Sequence, residues 1–246
     1  NKLQGSIVKF IPSTDVLGEI TLEWKIVYHL IKDILSLTPI GSEVIFTAMD
    51  IAGQEHKEKM INTDGIITRL ISDVKFPLNK PIIISEDNGE MKLDLAFMYD
   101  CGGQQGPDPD VSITAFCNMC PTTLGTHIDG VLDGITKWFM SYMNNIYLSN
   151  QKSKDKTKVT SADIKCGLNI MISAACLEPV LVGQAKEQLS NPEMAIYCKD
   201  VVSRGLENWS KSNPQDLAKL SKYFKDMADV RTKAEGAKAK IVTKYQ

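Results

Sequence analysis

The sequence of 246 residues has little net charge and no long apolar run. Its 28 Lys and Arg residues nearly balance its 30 Asp and Glu residues, which gives a formal net charge of −2 and a pI near 6.0. This balance provides no global attraction to nucleic acid, so any DNA contact has to come from local basic patches. No stretch approaches the roughly 20 apolar residues that a membrane-spanning helix needs, and nothing at the N-terminus resembles a signal peptide. We therefore expect a cytoplasmic protein without a membrane partner.

Signatures of metal and dinucleotide sites are also missing. Of six cysteines, only Cys117 and Cys120 have the spacing of a zinc-ligand pair, and no second pair or matching histidines accompany them. We therefore predict reduced, buried thiols and no metal site. Gly102 and Gly103 lack the third glycine and the following helix that would cradle a pyrophosphate. The surrounding segment 101–110 is predicted to be a loop.

The composition, with 43% hydrophobic and 24% charged residues, allows a substantial core in one large domain or two small ones. The hydrophobic periodicity changes repeatedly between that of a strand and that of a helix. Strands are predicted at residues 6–11, 43–49, 82–85, 91–99 and 111–118. A buried strand is predicted from the apolar run at 168–172, ending at Glu178-Pro179. Helices are predicted over residues 26–35 and 66–74. The polar residues 50–62 are predicted to be a loop.

Two further helices have recognisable start signals. Thr126 is predicted to be an N-cap, with Asp129 in the carboxylate position of a capping box, so that Thr126 and His127 have capping and packing roles on their chemistry alone. The second helix is predicted to start with Ser190 as its cap and Pro192 in its first turn.

The last predicted helix starts at Asn213-Pro214 and is longer than its apolar face. Its apolar stripe ends at Val230, and the sequence beyond is rich in lysine and alanine through Lys244. This pattern indicates a connecting rod toward another domain.

Four lysines lie close together in a polar, aperiodic segment: Lys152, Lys154, Lys156 and Lys158. Basic loops of this kind are usually solvated. The same lysines could also contact a phosphate backbone weakly, so they are candidates for DNA contact.

A short polar loop with one lysine lies within residues 182–189. Gly183 permits a sharp turn, Gln184 provides an amide donor and acceptor, and Lys186 provides a mobile positive charge with three donors. Most loops of this composition are solvated turns, but these groups also suit contact with a terminal phosphate.

Four segments, in this order, resemble known motifs. Residues 5–12 resemble a Gly-Thr-x-x-x-Phe-x-Pro strand, and residues 116–118 with 125–130 resemble Phe-x-Asn followed by Gly-Thr-His-x-x-Gly. Residues 160–168 resemble Asp-x-Arg-Glu-Gly-Leu, and residues 178–189 resemble Pro-x-Phe-x-x-Gln-Thr-Lys-x-x-Leu. These motifs are those of the transducer domain of the ATPase (B) subunit of type IIA DNA topoisomerases, the gyrase B and topoisomerase IV B family. The resemblance covers essentially the whole chain.

The chain departs from the family pattern at three places. Ala185 stands where the family has threonine, Met119 where a second asparagine is common, and the 101–110 loop is atypical. These departures indicate a divergent member.

The resemblance implies a mixed α/β (α+β) fold similar to domain 2 of ribosomal protein S5, with a mixed sheet and a long C-terminal helix. It implies one transducer domain over residues 1–246, with a body over 1–212 and a connecting helix over 213–246. We expect a GHKL ATPase domain before Asn1 and a TOPRIM cleavage domain after Gln246.

The resemblance also implies a role for the loop. Lys186 and Gln184, supported by Gly183, would contact the γ-phosphate of ATP held by the GHKL domain, together with Mg²⁺. The chain would couple ATP binding and hydrolysis to DNA strand passage as part of a topoisomerase, an isomerase, without being catalytic by itself. The implied partners are DNA, a topoisomerase A subunit or cleavage domain, and a second copy in a homodimer.

Two other functions remain open. One is the second domain of a mismatch-repair GHKL ATPase, against which the Gly-Thr-His segment and the rod-like last helix count. The other is a stand-alone nucleic-acid-binding module of the S5-like fold, for which the lysines of residues 152–158 would dominate binding.

Overall fold

A computed structural model describes residues 5–11, 13, 15, 23–50, 52–147, 157–184 and 187–245, with the backbone alone from residue 238 onward. The helices are α1 (Trp24–Ser36), α2 (Ile66–Asp73), α3 (Thr126–Tyr142), α4 (Ser161–Lys165), α5 (Pro192–Ser212) and α6 (Pro214–Tyr245). The strands are β1 (Glu43–Met49), β2 (Glu55–Ile61), β3 (Ile82–Asp87), β4 (Met91–Tyr99), β5 (Ser112–Cys117), β6 (Cys120–Thr122), β7 (Leu124–Gly125), β8 (Leu168–Cys176), β9 (Leu181–Val182) and β10 (Gln188–Leu189).

The central sheet has five strands in the order β3-β4-β8-β5-β6. β4 pairs antiparallel with β3 and with β8, whereas β5 runs parallel to β8 and antiparallel to β6. β8 lies in the middle and is covered on both faces, which explains its nearly continuous apolar sequence. The expected mixed sheet is therefore confirmed.

Helices cover both faces of this sheet. Leu93, Leu95 and Phe97 of β4 pack with α3, α5 and the first half of α6, whereas Ala96 and Met98 of the same strand pack with α2. The division follows from the geometry of a strand, whose successive side chains point to opposite faces. The result is an α/β/α arrangement of three layers.

α3 and α5 approach each other closely at two glycines. A Cβ at Gly130 would lie 2.4 Å from the carbonyl oxygen of Ala195, and a Cβ at Gly134 would lie 2.9 Å from the Cβ of Val202. The two glycines are four positions apart in the sequence, so they share one face of α3.

α6 begins in the core and ends in solvent. Its buried apolar residues are Leu217, Leu220, Tyr223, Phe224 and Ala228. Arg231 marks the change, since its Nε donates to Oδ1 of Asp163 in α4 at 2.9 Å, and residues 232–237 beyond it are exposed. The expected long C-terminal helix is present, and its first half belongs to the folded body.

α1, β1 and β2 form a smaller unit. β1 and β2 make a separate antiparallel sheet, and Leu35, Phe46 and Met60 form a hydrophobic cluster distinct from the main core. Arg69 of α2 joins this unit to the body, because its Nε lies 3.5 Å from Oδ1 of Asp33 in α1.

Two local predictions are wrong. Residues 5–11 form no strand, and Ile7 is 99% exposed, because no strand in the described part of the chain pairs with this segment. The predicted loop 50–62 contains β2, whose residues are mostly exposed. This segment is a strand because it pairs with β1, and its sequence has no hydrophobic alternation that would predict a strand.

The six cysteines are free thiols. Cys117 and Cys198 are buried, but Cys120 is exposed, contrary to the expectation of buried thiols. Burial raises the pKa of Cys117 and of Cys198 to about 12, because a thiolate would be poorly solvated there.

Candidate phosphate-contact loop

The loop predicted to contact phosphate connects β9 to β10. These strands and β7 form a three-stranded sheet in the order β7-β10-β9. Gln188 pairs with both Val182 and Leu124, and Leu189 pairs with both Leu181 and Gly125. Val182 and Gln188 therefore lie side by side at one end of this sheet, where the connecting loop begins and ends.

Two of the three predicted loop residues lie in the described part of the chain. Gly183 has a φ of 91°, in the left-handed region that glycine favours, and a Cβ there would meet no atom within 4 Å. Gln184 is exposed, so its amide is accessible from outside the chain. Lys186 and its neighbour Ala185 lie outside the described residues.

The N-terminal end of the loop is held by Asn191. Oδ1 of Asn191 accepts a 2.7 Å hydrogen bond from the N–H of Val180, and its Nδ2 donates to the carbonyl oxygen of Glu178 at 3.1 Å. Nδ2 also donates to Oε1 of Glu193, and this hydrogen bond lowers the pKa of that carboxyl. Asn191 is buried and precedes α5 directly, where it is the N-cap.

The prediction that Ser190 is the N-cap of α5 is therefore wrong. Ser190 instead binds the carbonyl oxygen of Val180.

The C-terminal end of the loop is held by the segment before α3. The N–H of Thr123 donates to the carbonyl oxygen of Glu187 at 3.0 Å, and that of Leu124 donates to the same oxygen at 3.4 Å. Glu187 directly follows the predicted phosphate-contact lysine in the sequence.

Gly125, the first residue of the Gly-Thr-His segment, lies against β10. Its φ is 137°, and a Cβ there would lie 2.7 Å from both the nitrogen and the oxygen of Leu189 and 3.1 Å from Nδ1 of His127. Only glycine fits this position without displacing β10.

His127 is fully buried beside this contact. Its Nε2 lies 2.9 Å from Oγ1 of Thr122, whereas its Nδ1 finds no hydrogen-bond partner among the described residues. Burial lowers the pKa of His127 to about 4, so the ring is neutral at neutral pH. The burial of His127 is consistent with the packing role predicted for it, which stays a prediction.

The capping role predicted for Thr126 is wrong. Gly125 occupies the N-cap position, Thr126 is the first helical residue, and its Oγ1 is buried without a partner in the described part of the chain. The backbone geometry that Gly125 needs at β10 sets the start of the helix one residue earlier.

Of the four candidate DNA-contact lysines, the described one, Lys158, lies away from the loop. Lys158 is exposed and close to the C-terminal end of α3, because its neighbour Val159 exchanges two hydrogen bonds with Asn144. The Gly125 end of α3, where the loop lies, is the opposite one, and 17 helical residues correspond to roughly 25 Å. Lys152, Lys154 and Lys156 lie outside the described residues.

The described residues contain no group of three or more His, Cys, Asp or Glu side chains that could hold a metal ion. Within the same residues, no helix is both long and apolar enough to cross a membrane.

Comparisons with known proteins agree on one family. The family model described as DNA gyrase B matches residues 51–240. The DNA gyrase B protein of Archaeoglobus fulgidus is 27% identical over 228 residues, covering 91% of this chain and 33% of that protein. The DNA topoisomerase 4 B protein of Francisella tularensis is 25% identical over 243 residues, covering 95% and 36%. The chain thus spans about a third of the length of these relatives.

Solved structures show the same fold. The 43K ATPase domain of Thermus thermophilus gyrase B, in complex with an aminocoumarin, has a TM-score of 0.73 at 21% identity, covering 93% of this chain and 59% of that one. The ATP-binding domain of Francisella tularensis topoisomerase IV has a TM-score of 0.69 at 23% identity, covering 90% and 57%.

Proposed function

This chain belongs to the DNA gyrase B family, and from that premise we propose that it is the transducer part of the ATPase subunit of a type IIA DNA topoisomerase. It would couple ATP binding and hydrolysis in a GHKL domain to DNA strand passage. The observation that carries the proposal is the family match over residues 51–240, which includes the loop and both segments that hold it. In the proposed assembly, residues 1–246 form one domain. The body predicted over 1–212 also takes in the buried first half of α6, and the exposed residues after Arg231 are the connecting part of the helix predicted over 213–246.

Gln184 and Lys186 are the proposed contacts to the γ-phosphate of ATP. Gln184 is exposed at the end of a small sheet, which suits a ligand held by another domain better than one enclosed here. Lysine provides a flexible point charge for phosphate. Gly183, three residues before Lys186, has the left-handed backbone of a sharp turn. ATP and Mg²⁺ would therefore be held mainly by the GHKL domain.

The physical logic of the contact is linkage. Lys186 would lose its partner when the γ-phosphate leaves, so that the position of the domain becomes linked to the nucleotide state. The same charge would stabilise the negative charge that develops during phosphoryl transfer. The isolated chain would not hydrolyse ATP. In the full enzyme, a cytoplasmic homodimer, its partners would be DNA and an A subunit or cleavage domain.

The test is Lys186→Ala and Gln184→Ala in the full-length protein. We expect ATP-dependent strand passage and the kcat of ATP hydrolysis to fall at least about tenfold for Lys186→Ala, and less for Gln184→Ala, which removes no charge. Lys219→Ala, at an exposed lysine of α6, is the matched control. Wild-type strand passage in Lys186→Ala would overturn the phosphate role.

The proposal that the lysines at 152, 154, 156 and 158 contact DNA has its own test. Replacing all four by alanine should weaken DNA binding by the full-length protein and lower the slope of log affinity against log salt concentration. An unchanged slope would exclude this contact.

The family match favours the function in a type IIA topoisomerase over that of a mismatch-repair ATPase.

A further inference from the structure

We propose that Asn191 and residues 122–127, together named the loop frame, position the 183–187 loop for its phosphate contact. The inference rests on the proposed function, because it concerns how the same loop is held. The positioning residues are Asn191 at one end and Gly125 at the other.

The loop cannot be held by its own hairpin. β9 and β10 are two residues long and form only two residue pairs. Even longer two-stranded hairpins are marginally stable in water, so two pairs provide little order. The positions of both loop ends must therefore be set by other parts of the chain.

Asn191 sets the first end through one buried amide group. Its contacts to Glu178 and Val180 span 13 and 11 residues of sequence and fix the chain just before β9. Because Asn191 is also the N-cap of α5, the entry to the loop is attached directly to a helix of the main core.

Gly125 sets the second end by allowing contact between backbones. β7 adds a third strand beside β10, and the absence of a side chain at Gly125 lets the backbone of Leu189 approach. Leu189 is fully buried in the main core, so β10 is anchored on both sides of its ladder.

The two anchors lead directly into two helices that pack against each other. α3 follows Gly125 directly, α5 follows Asn191 directly, and the helices meet at Gly130 and Ala195, where a Cβ on the glycine would lie 2.4 Å from the alanine carbonyl oxygen. Any displacement of the loop ends is therefore transmitted to the α3 and α5 layer. A loop that hung freely would transmit no force from a phosphate contact to the body.

The frame makes a kinetic prediction that differs from simple destabilisation. In the full-length protein, Asn191→Leu removes both the acceptor for Val180 and the donor to Glu178. We expect kcat for ATP hydrolysis to fall by about 10- to 100-fold while KM changes less than about twofold, because a displaced contact loses orientation and the nucleotide is held by another domain. Asn191→Asp keeps the acceptor for Val180 but places a carboxylate oxygen against the carbonyl oxygen of Glu178 and against Oε1 of Glu193, so it should recover little of the loss.

Asn213→Leu is the matched control. Asn213 is the C-cap of α5, at the opposite end of a helix of 21 residues, and its Nδ2 donates to the carbonyl oxygen of Trp209. A loss of activity that merely reflected a weakened α5 would appear in both variants. Hydrogen exchange of residues 183–187 in the full-length protein should accelerate only in Asn191→Leu.

Two comparisons separate the inference from the proposed function. If Lys186→Ala lowers kcat and Asn191→Leu does not, the frame is wrong and the phosphate contact stands. If Lys186→Ala has no effect, the phosphate contact is wrong. The frame is then judged by hydrogen exchange, and unaccelerated exchange in Asn191→Leu would overturn it. In the Lys186→Ala background, Asn191→Leu should cause almost no further loss, since both act through one contact.

Discussion

Buried polar side chains determine which separate segments of this chain contact each other. Asn191, Asp163 and His127 are each less than a tenth exposed, and each bonds to a group outside its own helix. A buried polar group without a partner is costly, so such residues tolerate few alternative positions. They define where segments meet more narrowly than the apolar core residues around them.

His127 should make the stability of this chain depend on pH. The folded pKa is lowered by burial to about 4, whereas an unfolded histidine has a pKa of about 6.5. Between these values the unfolded chain binds the proton more readily, so the contribution is present above about 6.5 and is lost as the pH falls toward 4. We expect about 2 kcal/mol less free energy of unfolding from this residue at pH 5 than at pH 7.

Denaturant unfolding at the two pH values measures this effect. In His127→Gln the loss between pH 7 and pH 5 should shrink by that amount, whereas the same substitution at the exposed His29 should leave the loss unchanged. Equal losses in the wild type and in His127→Gln would contradict the assignment.

At the scale of elements, close backbone packing and one buried ion pair determine how the helices lie on the sheet. α3 and α5 touch through the backbone at Gly130, and α6 is fastened to α4 by Arg231 and Asp163. Oδ2 of Asp163 also accepts hydrogen bonds from the N–H and Oγ1 of Thr160. The approach of Gly130 to Ala195 and the pair of Arg231 with Asp163 each join residues that are close in space and more than 60 positions apart in the sequence.

Gly130→Ala should destabilise the chain by about 1 to 3 kcal/mol, because the new methyl group would meet the carbonyl oxygen of Ala195. Gly236→Ala is the matched control. It lies in the exposed part of α6 with no atom within 4 Å of the new Cβ, and it should be neutral or stabilising by about 0.5 to 1 kcal/mol. Equal effects at the two glycines, measured by denaturant unfolding, would contradict the close approach.

Arg231→Ala should destabilise the chain by about 2 to 4 kcal/mol, since it leaves the carboxylate of Asp163, whose side chain is 2% exposed, without its cation. Arg204→Ala removes an exposed pair with Glu86 and should cost less than about 1 kcal/mol. If the two variants unfold at the same denaturant concentration, the ion pair of Arg231 with Asp163 is not buried in solution.

At the scale of the whole molecule, the described residues form an apolar cluster on each face of the central sheet and a third, smaller cluster beside them. The cluster of α1, β1 and β2 contains three buried apolar residues and contacts the body through the ion pair of Arg69 with Asp33 and through Leu37, which packs against the cluster around α2. Burial raises the pKa of Asp33, because a carboxylate there is partly removed from water. The small cluster should therefore be the less stable part.

Native-state hydrogen exchange of this chain tests that difference. Amides of the β1 and β2 ladder should open with a free energy several kcal/mol below that of β4 and β8 in the central sheet. Arg69→Met should lower the protection of β1 and β2 further and leave β4 and β8 unchanged. Equal protection of the two sheets in the wild type would contradict a separate cluster.

Much of the architecture is readable from local pattern. The sequence predicts β1 and β4 with their observed bounds, α3 to within one residue of its observed start, and the long last helix, because each depends on a periodicity contained within one element. It does not predict β2, whose partner makes it a strand, and it wrongly predicts a strand at residues 6–11, which has no partner among the described strands.

The loop shows the same division. Residue chemistry identifies Gly183, Gln184 and Lys186, and the order of motifs indicates the family, since both are properties of the linear sequence. Tertiary structure alone brings Asn191 to Val180 and Gly125 to Leu189. Contacts of this kind join residues 11 to 64 positions apart and leave no period in the sequence, because they depend on how separately formed elements pack around one core.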